Sequence, residues 1–155
     1  MVPNSLGPGE LLLHYGSEEQ KNYYLPKLAN GEFVPCFGLT GTNNGSDATG
    51  SIDIGTLVEV NGKKFIKVNV NKRYITLAPV SNLIGIAFRL NDPDKLLKSG
   101  SECITVALIE KGTCGLKQET YHNPLNTGFP NGTLKCTLMI PIENVIGREA
   151  NVGNG

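Results

Sequence analysis

The chain has 155 residues, with 14 Lys plus Arg set against 14 Asp plus Glu, which is the size of one domain able to bury roughly 70% of its unfolded surface. Zero net charge and scattered basic residues leave no field to gather a polyanion, so nucleic acid is excluded as an expected partner. The longest apolar stretch, 83–88, is far too short to cross a bilayer and the start MVPNSLGPGE has neither a basic n-region nor an apolar h-region; the expectation is a soluble, cytoplasmic protein with no membrane span.

The opening MVPNSLGPGELLLHYG places apolar Leu11, Leu12 and Leu13 beside Pro and Gly. It is too short for a core of its own and too apolar for a free tail, and it reads as the last piece of a helical region. A helix follows over 17–30. Ser17 as N-cap with Gln20 three residues on makes a capping box, Glu18 and Glu19 suit the first turn, and Asn30-Gly31 supplies the stop. Pro26 is expected to open a second short turn, because it cannot donate within an unbroken helix.

After Gly31 the period changes from helical to two. The stretch 33–40 is extended, and 57–60 joins 65–70 through Asn61-Gly62, the dipeptide that favours a type I′ hairpin. Ile66, Val68 and Val70 fall on one face, with Lys67 and Asn69 on the other. Further strands are expected at 73–78, 82–90, 104–110, 115–121 and 133–142, with turn-rich connections at 91–101, 111–114 and 123–132. The class is therefore mainly β: an antiparallel β-barrel or orthogonal sandwich of about seven or eight strands, preceded by a short helical segment.

The residues that carry chemistry are few. Cys36, Cys103, Cys114 and Cys136 show neither CxxC spacing nor a His partner placed for zinc, and read as small core residues; no metal site is expected. His14 and His122 have no nucleophile in an evident motif nearby, and Glu102, Glu110, Glu119 and Glu143 form no recognisable acid/base pair, so no catalytic residue is assigned. The distinctive segment is CFGLTGTNNGSDATG, 36–50. Its glycines allow positive φ and close approach of a ligand to the backbone, while Thr40 and Ser46 offer hydroxyls for a phosphate or a planar heterocycle. It is neither GxGxxG between strand and helix nor a P-loop. By composition alone, an ordinary surface connection is favoured over a ligand loop.

The wording of that loop resembles the signature of the acyl-CoA dehydrogenases, matching at Gly38, Leu39, Thr40, Gly45, Ser46, Asp47 and Gly50. The family's second motif, Trp-Ile-Thr after a hairpin and a Lys, is similar to Tyr74-Ile75-Thr76 at the end of 61–76. The segment YGSEEQKNYYLPKLANGE resembles the helix before the family's middle domain, and IPIENVIG resembles that domain's close. The order is most similar to the bacterial long-chain branch of fatty-acid β-oxidation.

The resemblance implies three regions: a remnant of the N-terminal helical domain (1–31), a middle β-barrel domain (32–148), and a tail (149–155) leading toward a C-terminal helical bundle. It implies α,β-dehydrogenation of an acyl-CoA thioester to the trans-2-enoyl-CoA. A glutamate takes the α proton, the β hydrogen leaves as hydride to flavin N5, and electrons pass on to an electron-transferring flavoprotein. It further implies FAD contacts from Phe37, Gly38, Leu39, Thr40, Gly45, Ser46, Tyr74, Ile75 and Thr76, with Ser46 also meeting the acyl-CoA. Gly41 and Thr42 stand where the family has Glu and Pro, and Tyr74 where it has Trp. The family's catalytic glutamate belongs to the C-terminal helical domain, so the chain is expected to be inactive without the helical domains or another chain. The alternative is a stand-alone β-barrel that serves as a binding or interaction module.

Overall fold

The computed structural model describes residues 4–48, 50, 52–97 and 103–148, with Thr120 and Tyr121 as backbone only. Glu102 and the tail 149–155 lie outside the described residues. Two helices come first: α1 (Gly7–Tyr15), behind a 3-10 turn at Asn4–Leu6, and α2 (Glu18–Ala29). The α2 start is the expected capping box, with Ser17 Oγ accepting from Gln20 N at 3.2 Å and Gln20 Oε1 accepting from Ser17 N at 3.1 Å. Pro26 does not open a second turn. It sits in the last turn of one continuous helix, where its missing N–H removes a single bond near the helix end. Asn30 N then bonds Pro26 O at 3.0 Å, and Gly31 takes φ +80° to leave the helix.

Seven strands follow: β1 (Pro35–Gly38), β2 (Ile54–Val60), β3 (Lys63–Thr76), β4 (Leu83–Asn91), β5 (Ile104–Glu110), β6 (Leu116–Tyr121) and β7 (Asn131–Pro141). They form one curled, half-barrel sheet among the described residues, so the mainly β class with helices ahead of it holds. The β2–β3 hairpin turns on Asn61 and Gly62, at φ 53° and 73°, as a type I′ turn requires. β3 is one long strand where the sequence reading had two, at 65–70 and 73–78. A register shift between Lys72 and Ile75 against β7 marks the break as a bulge inside the strand, not a turn.

Two pairings are parallel, against the antiparallel expectation. β4 pairs antiparallel with β5 from Leu83↔Glu110 to Arg89↔Ile104. Its other edge carries first β1 (Pro35↔Leu83 to Gly38↔Ile86) and then β2 (Ile54↔Arg89 to Thr56↔Asn91), both parallel. From β2 the sheet continues through β3 and β7 to β6.

The main core is the cluster around Leu57, Ile66, Val68, Ile84, Ile86, Phe88, Leu134 and Ile140. A second cluster, with Leu12, Phe33, Leu83, Leu108 and Ile146, joins the helices to the outer face of β4 and β5. β4 is thus covered on both faces, which explains its almost unbroken apolar run. At Gly85 an added Cβ would lie 2.7 Å from Pro8 Cγ, so α1 rests directly on β4. Gln20 clasps the far end of the chain: its Nε2 donates to Glu143 O (3.0 Å) and Val145 O (2.7 Å), and Gly147 N donates to its Oε1 at 2.9 Å. Cys36 and Cys136 are buried as expected, whereas Cys103 is only half-buried and Cys114 exposed. No helix among the described residues is long and apolar enough to cross a membrane.

Candidate functional site

The glycine-rich loop leaves β1 after Gly38 and re-enters the sheet at Ile54. Its inner scaffold is Asn44, 7% exposed, whose Nδ2 donates to Leu39 O (3.2 Å) and Ala48 O (3.4 Å). Gly41 N donates to Asn44 O at 3.2 Å, and a Cβ at Gly41 would lie 2.4 Å from Asn44 Oδ1. The glycine at 41 therefore makes room for the side chain that braces the loop. Gly45 and Ser46 stand out at the exposed tip.

The loop root abuts the bulge of β3. Arg73 N donates to Thr40 O at 3.1 Å, and Gly41 bridges Lys72. Lys72 continues the inward face of Ile66, Val68 and Val70 and is fully buried. Its Nζ lies 2.8 Å from Asp53 Oδ2, which takes no other hydrogen bond among the described residues, and donates to Leu39 O at 3.1 Å. Burial lowers the Lys72 pKa, with Asp53 opposing that shift. The same burial pushes the neighbouring Cys136 thiol up to about 12, with the Asp53 charge adding to it.

Past Lys72 the bulge reverses the phase of β3, so Arg73 and Tyr74 both face out and Ile75 turns in. Tyr74 holds φ 57° and is 51% exposed. That left-handed backbone costs a non-glycine residue about 1–2 kcal/mol, and it is what turns the ring away from the core. The Arg73 guanidinium lies 4.7 Å from the ring centre and the His122 ring 4.8 Å from it, tilted at 45°. His122 in turn meets Thr133 Oγ1 at 2.9 Å. Thr76 pairs with Asn131, whose buried Oδ1 has no partner among the described residues.

Of the nine residues read as cofactor contacts, the fold brings Thr40 to the backbone of Arg73, the residue before Tyr74, with Ile75 and Thr76 next in the strand. Ile75 is 3% exposed and its carbonyl already accepts from Ala78 N at 3.2 Å, and Gly38 is buried against Leu134 and Lys72. Phe37 packs between Gly7 and Gly85, toward α1. No described contact joins Gly45 or Ser46 to Tyr74 or Thr76. The hydroxyls of Thr40, Ser46 and Thr76 engage no other described residue. Sequence reasoning missed Asn44, Asn131, His122, Arg73 and the Lys72–Asp53 pair. Only Lys72 carried a signal, as a charge at the next position of an inward period-two face.

A helix pair laid on a curled sheet, with a braced loop set against a strand bulge that presents an aromatic ring, makes this a mainly β domain. The "Acyl-CoA dehydrogenase, N-terminal domain" family model matches residues 1–32. An acyl-CoA dehydrogenase of Bacillus subtilis is 32% identical over 152 residues, covering 97% of this chain and 38% of that protein. A Clostridium acetobutylicum relative described as "Acyl-CoA dehydrogenase, short-chain specific" is 30% identical over 141 residues, covering 90% of this chain and 35% of its own length.

Among solved structures, a glutaryl-coenzyme A dehydrogenase in complex with glutaryl-CoA superposes with a TM-score of 0.76 at 26% identity, covering 97% of this chain and 36% of that one. An acyl-CoA dehydrogenase from Bacillus anthracis complexed with FAD gives 0.74 at 26% identity, covering 89% and 23%. This chain belongs to the acyl-CoA dehydrogenase family and spans a little over a third of the length of the curated relatives it matches.

Proposed function

We propose that the chain supplies the β-domain wall of an acyl-CoA dehydrogenase active site, contacting a flavin and an acyl-CoA thioester, and that it does not turn over substrate alone. The observation that carries the reading is the placement of the loop root against the β3 bulge, with Arg73 N on Thr40 O at 3.1 Å. In this reading the Thr40 and Thr76 hydroxyls, which engage no other described residue, and the half-exposed Tyr74 flank one surface. These residues fit a planar, heteroatom-edged ring system: an aromatic face for the plane, hydroxyls for its edge, and an orphaned Asn131 Oδ1 nearby as an acceptor.

In this reading Tyr74 packs on the isoalloxazine plane, Thr40 and Thr76 hydrogen-bond its edge, and Ser46 reaches the acyl-CoA from the loop tip. Arg73 and His122 hold the Tyr74 ring in place. Flavin adenine dinucleotide, when bound, supplies the two-electron acceptor for α,β-dehydrogenation. The α-proton acceptor belongs to the part of the enzyme that this chain does not span, which is why turnover is not expected here. Electrons would pass on to an electron-transferring flavoprotein in the complete enzyme.

The test is titration of the pure chain with FAD, read as quenching of flavin fluorescence, beside the same titration of Tyr74→Ala. Saturable quenching that weakens in the variant is expected. Identical curves for the two proteins would overturn the flavin contact. Reduction of an artificial electron acceptor on adding an acyl-CoA would overturn the predicted inactivity.

A further inference from the structure

We infer that Lys72 is a positioning residue that staples the two ends of the glycine-rich loop together and to the β3 bulge. Its ammonium reaches Leu39 O, one residue past β1, and the carboxylate of Asp53, one residue ahead of β2. Both ends of the loop thus converge on one side chain from a third strand. Asp53 is itself fixed through its backbone, since Arg89 N donates to Asp53 O at 2.8 Å. The Lys72 stem passes beside Gly38, where an added Cβ would lie 3.4 Å from Lys72 Cγ and 3.2 Å from Leu134 Cδ1. The residue next to Lys72 carries the loop contact to Thr40, and the one after it is Tyr74, so the staple sets the spacing between the loop and the ring.

The choice of a charged group at this buried position is informative. A buried ion pair is weak evidence of stability, because an apolar pair of similar volume is often as stable. What an apolar pair cannot do is hold a carbonyl and a carboxylate from two chain segments at once. The charge-assisted bonds from one Nζ do so, and they fix direction as well as distance.

The role of the staple in a ligand site rests on the reading proposed above; its hold on the loop does not. The test uses the 155-residue chain without ligand and follows amide exchange by NMR at Gly41 and Arg73, whose N–H groups bond Asn44 O and Thr40 O. Lys72→Met should raise exchange at both about ten- to hundredfold, the loss of a charge-assisted bond. Leu90, whose amide bonds Cys103 O in the sheet, is the control for global unfolding.

Because Lys72→Met leaves Asp53 unpaired and can fail to fold, the double variant Lys72→Met/Asp53→Leu is measured as well. It should recover the thermal midpoint while Gly41 and Arg73 still exchange fast. Unchanged exchange at these amides in either variant that folds would overturn the inference. So would a double variant that regains protection together with stability. FAD titrations run in parallel separate the two ideas. Fast loop exchange in the variants, with no flavin binding by the wild type, leaves the staple standing and removes the flavin reading. A wild type that does bind FAD, but no more tightly than a fast-exchanging variant, would overturn the positioning role.

Discussion

Gln20 offers the sharpest energetic test, because one side chain serves a helix cap and a long-range clasp together. It is 5% exposed, and its amide makes all four of its bonds: to Ser17 N, Gly147 N, Glu143 O and Val145 O. Gln20→Met keeps the length and much of the volume but removes both donors and the acceptor. The bond to Val145 O is buried, and those to Ser17 N, Glu143 O and Gly147 N are partly buried, where water can reach a freed group. Leaving these groups unpaired should cost about 2–4 kcal/mol in all. For a chain of this size that is a fall of about 5–15 °C in thermal midpoint, measured by circular dichroism. Amide exchange at Ile146, which bonds Val106 O beside the clasp, should rise with it. A midpoint within 2 °C or so of wild type would show that the clasp contributes no net stability and would refute this accounting.

Gly55 packs where β2, β3 and β4 meet, and an added Cβ would lie 2.5 Å from Phe88 Cδ2 and 2.8 Å from Ile66 Cγ2. Gly55→Ala should cost about 1–3 kcal/mol, visible as a lower denaturant midpoint with unchanged slope. Tyr74→Gly should change stability by less than about 1 kcal/mol, since relief of the left-handed backbone offsets loss of the ring contacts, while flavin quenching is lost. Burial pushes the Cys36 thiol up to about 11 and Cys136 up to about 12. The unfolded thiols ionise first, so this stability is fully present below about pH 9 and is lost as pH rises toward those values, by at most about 1.4 kcal/mol per pH unit per thiol. Lys72, with its pKa lowered, acts in the opposite direction over the alkaline range. The thermal midpoint of Cys36→Ala/Cys136→Ala, scanned from neutral to alkaline pH, should therefore fall less steeply than that of wild type; equal slopes would refute the thiol contribution.

The features that sequence made plain are those whose cause is local. Asn61-Gly62 dictates its turn through the φ it tolerates, and Ser17 with Gln20 dictates its cap through two bonds three residues apart. What escaped depends on partners far along the chain. Parallel and antiparallel strands alternate alike, so nothing in 35–38 or 54–56 betrayed their direction against β4. Lys72 fell between the strands read at 65–70 and 73–78, and its buried charge is matched by Asp53 from across the loop. Tyr74 was legible as an aromatic in a motif, yet its outward turn comes from a bulge set by the register with β7. Gln20 showed its capping role and concealed its hold on 143–147, because one amide can do both.

β1 and β2 lie end to end along one edge of β4, with Gly38 opposite Ile86 and Ile54 opposite Arg89. In effect they are one interrupted strand, and residues 39–53 are an excursion that departs from an edge and returns a few positions further along it. The cost of closing such an excursion grows only slowly with its length, and neither flanking strand need shift when its contents change. The sheet can therefore be inherited intact while the excursion is lengthened, shortened or rewritten. On the proposed reading, ligand chemistry can diverge at the loop without being felt in the strand order that carries it.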